Sequence, residues 1–205
     1  MPDQRTFRLR VVYRKAGRLA WLSHLEITRA LERCVRRAGL PYAVSQGFSP
    51  HMKIAFGSAL PVGVGGTAEI FDVYLQRYVN AAEACKALQT ACVPDLGVLS
   101  CSYIEGRAPA ASVAFPVSRY RARLSEPVES LDVPESITLV KKKGERELLV
   151  HDYLMGFVSC AGCDVEFSLE QKPTGSLRAD VFLAHCLRCS DVSIQVESLT
   201  RIAQS

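Results

Sequence analysis

Two histidines, four arginines and a glycine-aromatic loop fall between His24 and Lys53. His24 and His51 are the titratable pair suited to proton transfer. One neutral and one charged imidazole can act as base and acid on an RNA 2′-hydroxyl. The same rings can instead fix a loop through hydrogen bonds to main-chain groups. His24 is expected at the first position of a helix, where the dipole disfavours imidazolium. Arg29, Arg33, Arg36 and Arg37 stand at i, i+4, i+7 and i+8 and so share one helix face. Guanidinium groups arrayed in that way can contact several phosphates, with Glu32 compensating in part. A solvated amphipathic face is the plainer alternative. In the loop Gln46-Gly47-Phe48-Ser49-Pro50-His51, Gly47 permits a positive φ or the close approach of a ligand. Phe48 can stack on a base if exposed, or anchor the loop to the core. Lys53 adds a cation where the next strand begins.

Cys160-x-x-Cys163 and Cys186-x-x-Cys189 have the pairwise spacing of a four-cysteine zinc site, with 22 residues between the pairs. The context also suits buried free thiols or redox exchange. Ala161-Gly162 reads as a hairpin turn, and the second pair falls on a helix rather than at a turn. Cys34, Cys85, Cys92 and Cys101 read as small core residues. A resident cofactor is not expected. Val62-Gly63-Val64-Gly65-Gly66 is rich in glycine but opens no helix, so a phosphate-cradling loop is not expected there. No nucleophile elbow occurs.

Charge is uneven along the 205 residues. Residues 1–53 hold 11 Lys/Arg against 3 Asp/Glu, and the remainder holds 14 against 18. That asymmetry points to an anionic partner for the N-terminal part. Hydrophobic residues make up 48% and charged residues 22%, the balance of a globular protein with a core of useful size. No stretch approaches the run of about 18–20 apolar residues that spans a membrane. The N-terminal Met-Pro-Asp-Gln-Arg lacks an apolar signal region. Eight cysteines in that context imply mostly free thiols and a cytoplasmic location.

The elements that must position these residues can be read from periodicity. Phe7–Tyr13 is a strand, followed by a turn at Lys15–Arg18. Ser23-x-x-Glu26 is a capping box, with Leu22 and Ile27 as its hydrophobic staple. Ile27, Leu31, Cys34, Val35 and Ala38 form the buried stripe of that helix, Gly39 caps it, and Pro41 stops it. Lys53–Phe56, Glu69–Leu75 and Val98–Ile104 read as strands, and Ala81–Ala91 as a second helix. The order is that of a ferredoxin-like split βαβ unit. Residues 105–112 read as a linker, placing the domains at 1–106 and 107–205. In the second half, Tyr120–Leu124, Ser136–Lys141, Glu147–Val158, Asp164–Leu169 and Val192–Ile202 read as strands and Ser176–Cys186 as a helix. The fold class is thus α+β, two ferredoxin-like units, the second with a degraded first helix.

Five motifs occur in order: Lys15-x-Gly17-Arg18-Leu19, Ser23-His24-Leu25, Arg36-Arg37-Ala38-Gly39-Leu40-Pro41, Ser45-Gln46-Gly47-Phe48-x-Pro50-His51 and Leu60-Pro61-x-Gly63. In them the chain resembles the radical SAM-linked family, a domain of unknown function fused to, or encoded beside, radical S-adenosylmethionine proteins. Gly175-Ser176-x-Arg178-x-Asp180 is a weaker echo of the same family. Glu26 stands where the family has aspartate, and Met52 and Ala179 stand where it has prolines. The resemblance implies association with a radical SAM enzyme and RNA-related chemistry. The chain itself has no Cys-x-x-x-Cys-x-x-Cys cluster of the radical SAM type.

Together these readings predict a non-catalytic RNA-binding accessory protein that presents substrate to a radical SAM partner, without membrane or DNA. Its ligand-binding residues would be His24, Arg29, Arg33, Arg36, Arg37, Gln46, Gly47, Phe48, His51 and Lys53. Two other outcomes fit the same residues. One is a metal-independent RNA endonuclease using His24 and His51, an analogy at the level of fold. The other is a protein-interaction adaptor that never touches RNA.

Overall fold

The computed structural model describes residues 6–141, 144–172, 175–190 and 194–205. The chain is α+β and divides into two compact units, Met1–Ala114 and Phe115–Ser205. The N-terminal pentapeptide, Met1 to Arg5, lies outside the described residues.

In the first unit, β1 (Phe7–Lys15) leads through a 3-10 turn at Gly17–Trp21 into α1 (His24–Arg37). Then come β2 (Ile54–Phe56), β3 (Val64–Leu75), α2 (Ala81–Ala91), β4 (Val98–Ile104) and a short turn of helix, α3 (Ala111–Ala114). β1 is central, antiparallel to β3 on one side and to β4 on the other. β2 pairs antiparallel with the far side of β3, giving the order β4-β1-β3-β2.

Alternation decides which side chains of β1 enter the core. Leu9, Val11 and Tyr13 are buried against Ile27, Leu31 and Val35 of α1, together with Phe71 and Val73 of β3. Burying each large aliphatic side chain contributes on the order of 2 kcal/mol. On the opposite face of the sheet, Asp72 is fully buried between two guanidinium groups. Arg8 Nη2 donates to Asp72 Oδ2 at 2.7 Å, and Arg10 Nε donates to Oδ1 at 2.8 Å. Arg8 also donates to the carbonyls of Ala108 and Pro109. This anchors residues 108–109 to the first unit and satisfies a carboxylate that would otherwise be costly to bury.

The second unit holds β5 (Val117–Leu124), β6 (Ser136–Lys141), β7 (Gly144–Leu149), β8 (Ser159–Ala161) and β9 (Asp164–Lys172). After them come β10 (Gly175–Ser176), α4 (Ala179–Cys189) and β11 (Val196–Gln204). β5 lies between β11 and β9, antiparallel to both, and β8 pairs with β9. Between β5 and β8, where the first unit has α1, lies the antiparallel hairpin β6–β7. Tyr120 stacks on Phe167, which packs against Phe182 of α4.

Several boundaries differ from the sequence reading. The long strand expected over Glu147–Val158 is broken at a 3-10 turn, Val150–Asp152, and resumes as β8. α4 begins at Ala179 rather than Ser176, because Gly175 and Ser176 pair with Lys172 and Gln171. The last strand starts at Val196; Val192 and Ser193, where it was expected to begin, lie outside the described residues.

Candidate functional site

α1 begins as its capping box dictates. Ser23 Oγ accepts from the Glu26 backbone N–H, and the Ser23 N–H donates to Glu26 Oε2 at 2.8 Å. The Ser23 hydroxyl also donates to the Glu26 carboxylate, and this bond is the chief reason that carboxyl is held below its usual range. Both side chains are thereby committed to starting the helix. Helix α1 ends at the cap Ala38, and Gly39 follows at φ 66°, a conformation glycine adopts without strain.

The four arginines divide sharply. Arg37 Nη2 donates to the Ala91 carbonyl at 2.5 Å and approaches Cys34 Sγ at 3.4 Å, so it fastens α1 to the end of α2. Arg36 meets Glu32 at 3.4 Å and lies over the Tyr42 ring. Arg29 and Arg33 are exposed and form no ion pair or side-chain hydrogen bond among the described residues. One stripe in sequence is therefore two free cations, one partly paired cation and one structural clamp.

The segment 43–53 is tied to β3 at its base. Ala43 N–H donates to the Tyr74 carbonyl, Lys53 N–H to the Ala43 carbonyl, and Tyr74 N–H to the Lys53 carbonyl. Val44 bridges Met52, whose side chain is buried in the core. Ser45 N–H donates to the His51 carbonyl at 2.8 Å, and His51 N–H donates to Ser45 Oγ at 3.0 Å. Residues 46–50 cross the tip and are all exposed, with Gly47 at φ 137°. Phe48 has no cover at all, with relative exposure of 110%. Lys53 places its ammonium 4.8 Å from the Tyr74 ring centroid.

The histidines have different surroundings. The His51 side chain is exposed, and its main chain closes the loop. His24 packs edge-on to Phe56 with centroids 5.3 Å apart. It lines a small pocket with Tyr13, Lys15, Phe56, Ser58 and Glu69, and His51 is not among the lining residues. The pocket has room for about one water-sized group, far less than a base needs. His24 is exposed like His51, but the part of its ring that is desolvated at the pocket, and then the charge of Lys15, hold the His24 imidazole below its ordinary pKa. Its neutral form is thus favoured by burial and a neighbouring cation, influences that act in the same direction as the helix dipole.

The sequence reading overlooked Lys15 and Glu69, both buried at the pocket. A signal for them exists. Lys15 ends the inward series Leu9, Val11, Tyr13, and Glu69 begins the inward series Phe71, Val73, Leu75. A charged residue in phase with core positions of a strand is worth marking for that reason.

The paired cysteines lie in the second unit. Cys160 is on β8, Cys163 is in the two-residue turn to β9, and Cys186 and Cys189 are on α4. Burial, followed by the neighbouring Cys189, pushes the Cys186 thiol up to about 12. Among the described residues, no group of three or more His, Cys, Asp or Glu side chains is placed to hold a metal ion. Among those residues, no helix is long and apolar enough to cross a membrane.

Comparison with known families gives a match over most of the chain. The family described as "Uncharacterized protein conserved in bacteria (DUF2344)" matches residues 8–179, which include both histidines, all four arginines of α1 and the exposed loop. No curated protein matches the chain.

Proposed function

The chain belongs to that uncharacterised bacterial family, and from this premise we propose that it is an RNA-binding accessory protein, itself non-catalytic, which presents a single-stranded segment to a radical SAM enzyme. The partner class rests on the five-motif resemblance described above. The unit folds are read as two ferredoxin-like modules, the order β4-β1-β3-β2 supporting this for the first.

One observation carries the RNA reading: Phe48 stands wholly exposed at the tip of a loop whose base is hydrogen-bonded and whose neighbour Met52 is buried. A ring held in water on a tied loop gains nothing from the fold, but offers a stacking surface to an unpaired base. Base–aromatic stacking contributes about 1–3 kcal/mol per base. Arg29 and Arg33, free in the same unit, supply guanidinium groups for the sugar-phosphate chain, and Lys53 a further cation. Cleavage by His24 and His51 has less support. His24 faces a water-sized pocket that His51 does not line.

Binding of a short fluorescent single-stranded RNA, followed by anisotropy at several salt concentrations, tests the proposal. The expected result is an affinity that falls with salt and weakens about fivefold to a hundredfold in Phe48→Ala. Binding that is indifferent to both Phe48→Ala and salt would overturn it. Capture of a radical SAM protein after nuclease treatment, without measurable RNA affinity, would leave the adaptor reading in its place.

A further inference from the structure

The pocket at the start of α1 has a floor of opposite charges and an open rim. Lys15 and Glu69 are buried at it, while His24 and Ala59 are exposed. The strand register builds the floor. Tyr13 of β1 stands opposite Glu69 of β3, and Lys15, two residues on, stands opposite Gly66. A side chain at Gly66 would overlap the Glu69 carboxylate, so that carboxylate takes the place facing Lys15. His24 closes one side, edge-on to Phe56, and Ser58 lines another. The ammonium donates, the carboxylate accepts, and the hydroxyls and the neutral imidazole do both. Merely filling this space would take an apolar side chain, with far less desolvation than two buried charges.

We propose that this pocket takes a ribose 2′-hydroxyl and is where the protein tells RNA from DNA. The inference rests on the RNA-binding reading above and adds a sugar preference to it. Size and chemistry both select the group. Room for about one water-sized group admits a hydroxyl and refuses a base or a phosphate. A hydroxyl is at once donor and acceptor, and the lining offers partners for both roles. A deoxyribose has no group to return the hydrogen bonds of the water it would displace there.

The pocket is joined to the other proposed contacts by short stretches of chain. Phe56, which walls it, ends β2, and Lys53, whose backbone closes the base of the Phe48 loop, immediately precedes that strand. Three extended residues separate the two, about 10 Å. His24 opens the helix that carries Arg29 and Arg33. Stacking on Phe48 and phosphate contacts from Arg29 and Arg33 are indifferent to the 2′ position of the sugar. The pocket therefore supplies a discrimination that those groups lack.

Three short single strands of one base sequence are the probes: RNA, its deoxyribose counterpart with deoxyuridine for uridine, and its 2′-O-methyl counterpart. Fluorescence anisotropy with the full-length protein is expected to show RNA bound roughly tenfold more tightly than either, since one lacks the hydroxyl and the other is too large for the pocket. Phe48→Ala should weaken all three alike and keep the ratio. His24→Ala, and the size-matched Glu69→Gln, should bring RNA down to the affinity of the deoxyribose strand, with circular dichroism confirming the fold. Equal binding of RNA and the deoxyribose strand by the wild-type protein would overturn the proposal and leave the pocket a site for water only. So would 2′-O-methyl RNA bound as tightly as RNA, or a ratio unchanged in His24→Ala. In each of those cases salt-sensitive binding lost in Phe48→Ala would leave the RNA-binding reading standing. Binding of none of the three strands would remove that reading and the sugar preference with it. The wild-type comparison decides the matter even if Glu69→Gln fails to fold.

Discussion

The two units each carry a row of arginines, and the rows behave differently. On β5, Arg119, Arg121 and Arg123 occupy alternate positions and share one face of the sheet. Arg119 and Arg121 both pair with Glu166 of β9, the latter at 2.7 Å, and Arg123 pairs with Asp164 at 3.2 Å. On α1, Arg29 and Arg33 form no ion pair among the described residues, although the Glu26 carboxylate of the same helix feels the charge of Arg29. A row of arginines is therefore no signal for phosphate until its neighbours are known. In a sheet the neighbours are on the next strand, many residues away, and an antiparallel register can place acids opposite bases. The solvent face of a helix is open except along its own length, where Glu32 pairs with Arg36 and Glu26, three residues before Arg29, is held by Ser23. A third arrangement lies in the first unit itself, where Arg8 and Arg10 are paired to a buried Asp72.

Mutations can break this three-way contrast. The largest effect is expected at Asp72→Ala, which leaves the buried Arg8 without its counter-charge. Chemical denaturation should show a loss of about 3–5 kcal/mol. A loss below 1 kcal/mol would mean that the cluster is not buried as described. Next in size, Arg29→Ala with Arg33→Ala should leave stability unchanged but lower the salt slope of single-stranded RNA binding by about 0.7 for each arginine. The matched double variant Arg119→Ala with Arg121→Ala should leave that slope where it is. Equal effects from the two pairs would erase the distinction between the rows.

Smaller still is Glu166→Gln, which frees two exposed guanidinium groups at a cost of roughly 1 kcal/mol or less. It can also confer RNA affinity on the second unit, and a gain there would show that pairing alone silences the row. Its pH dependence has a definite sign. Arg121 first, together with Arg119, holds the Glu166 carboxyl below its ordinary value. The stabilisation is present above the unfolded pKa of about 4.3 and fades as pH falls through the lower folded value. Glu166→Gln should flatten that part of the stability profile. The smallest effect concerns His24, whose folded pKa is also lowered. Stability is therefore expected to fall as pH drops below about 6.5 through the lower folded value, and NMR titration of the His24 ring should give a midpoint below the ordinary histidine value of about 6.5.

Local chemistry made much of the fold legible. The Ser23–Glu26 box and Gly39 bracket α1, and α2 and β4 occupy Ala81–Ala91 and Val98–Ile104, as their periodicity predicts. Where reading failed, a distant partner was deciding. Val64-Gly65-Gly66-Thr67 looks like a connection, yet it opens β3, with Gly66 opposite Lys15. Glycine has low strand propensity, and pairing with β1 overrides it. The same glycine leaves space that the Glu69 carboxylate fills, since a side chain at Gly66 would collide with it. Residues 150–158 look continuous with β7, but the turn at Val150–Asp152 redirects the chain to β8.

The sequence by itself determined which residues could carry charge, stack or cap, because helix caps and strand alternation depend on neighbours a few positions away. It placed four arginines on one helix face and Phe48 in a loop beside a glycine. Only the tertiary structure decided that Arg37 is a clamp, that Arg29 and Arg33 are free, and that Phe48 stands in water. Pairing and burial are properties of contacts made across the chain, and periodicity over a few residues does not contain them.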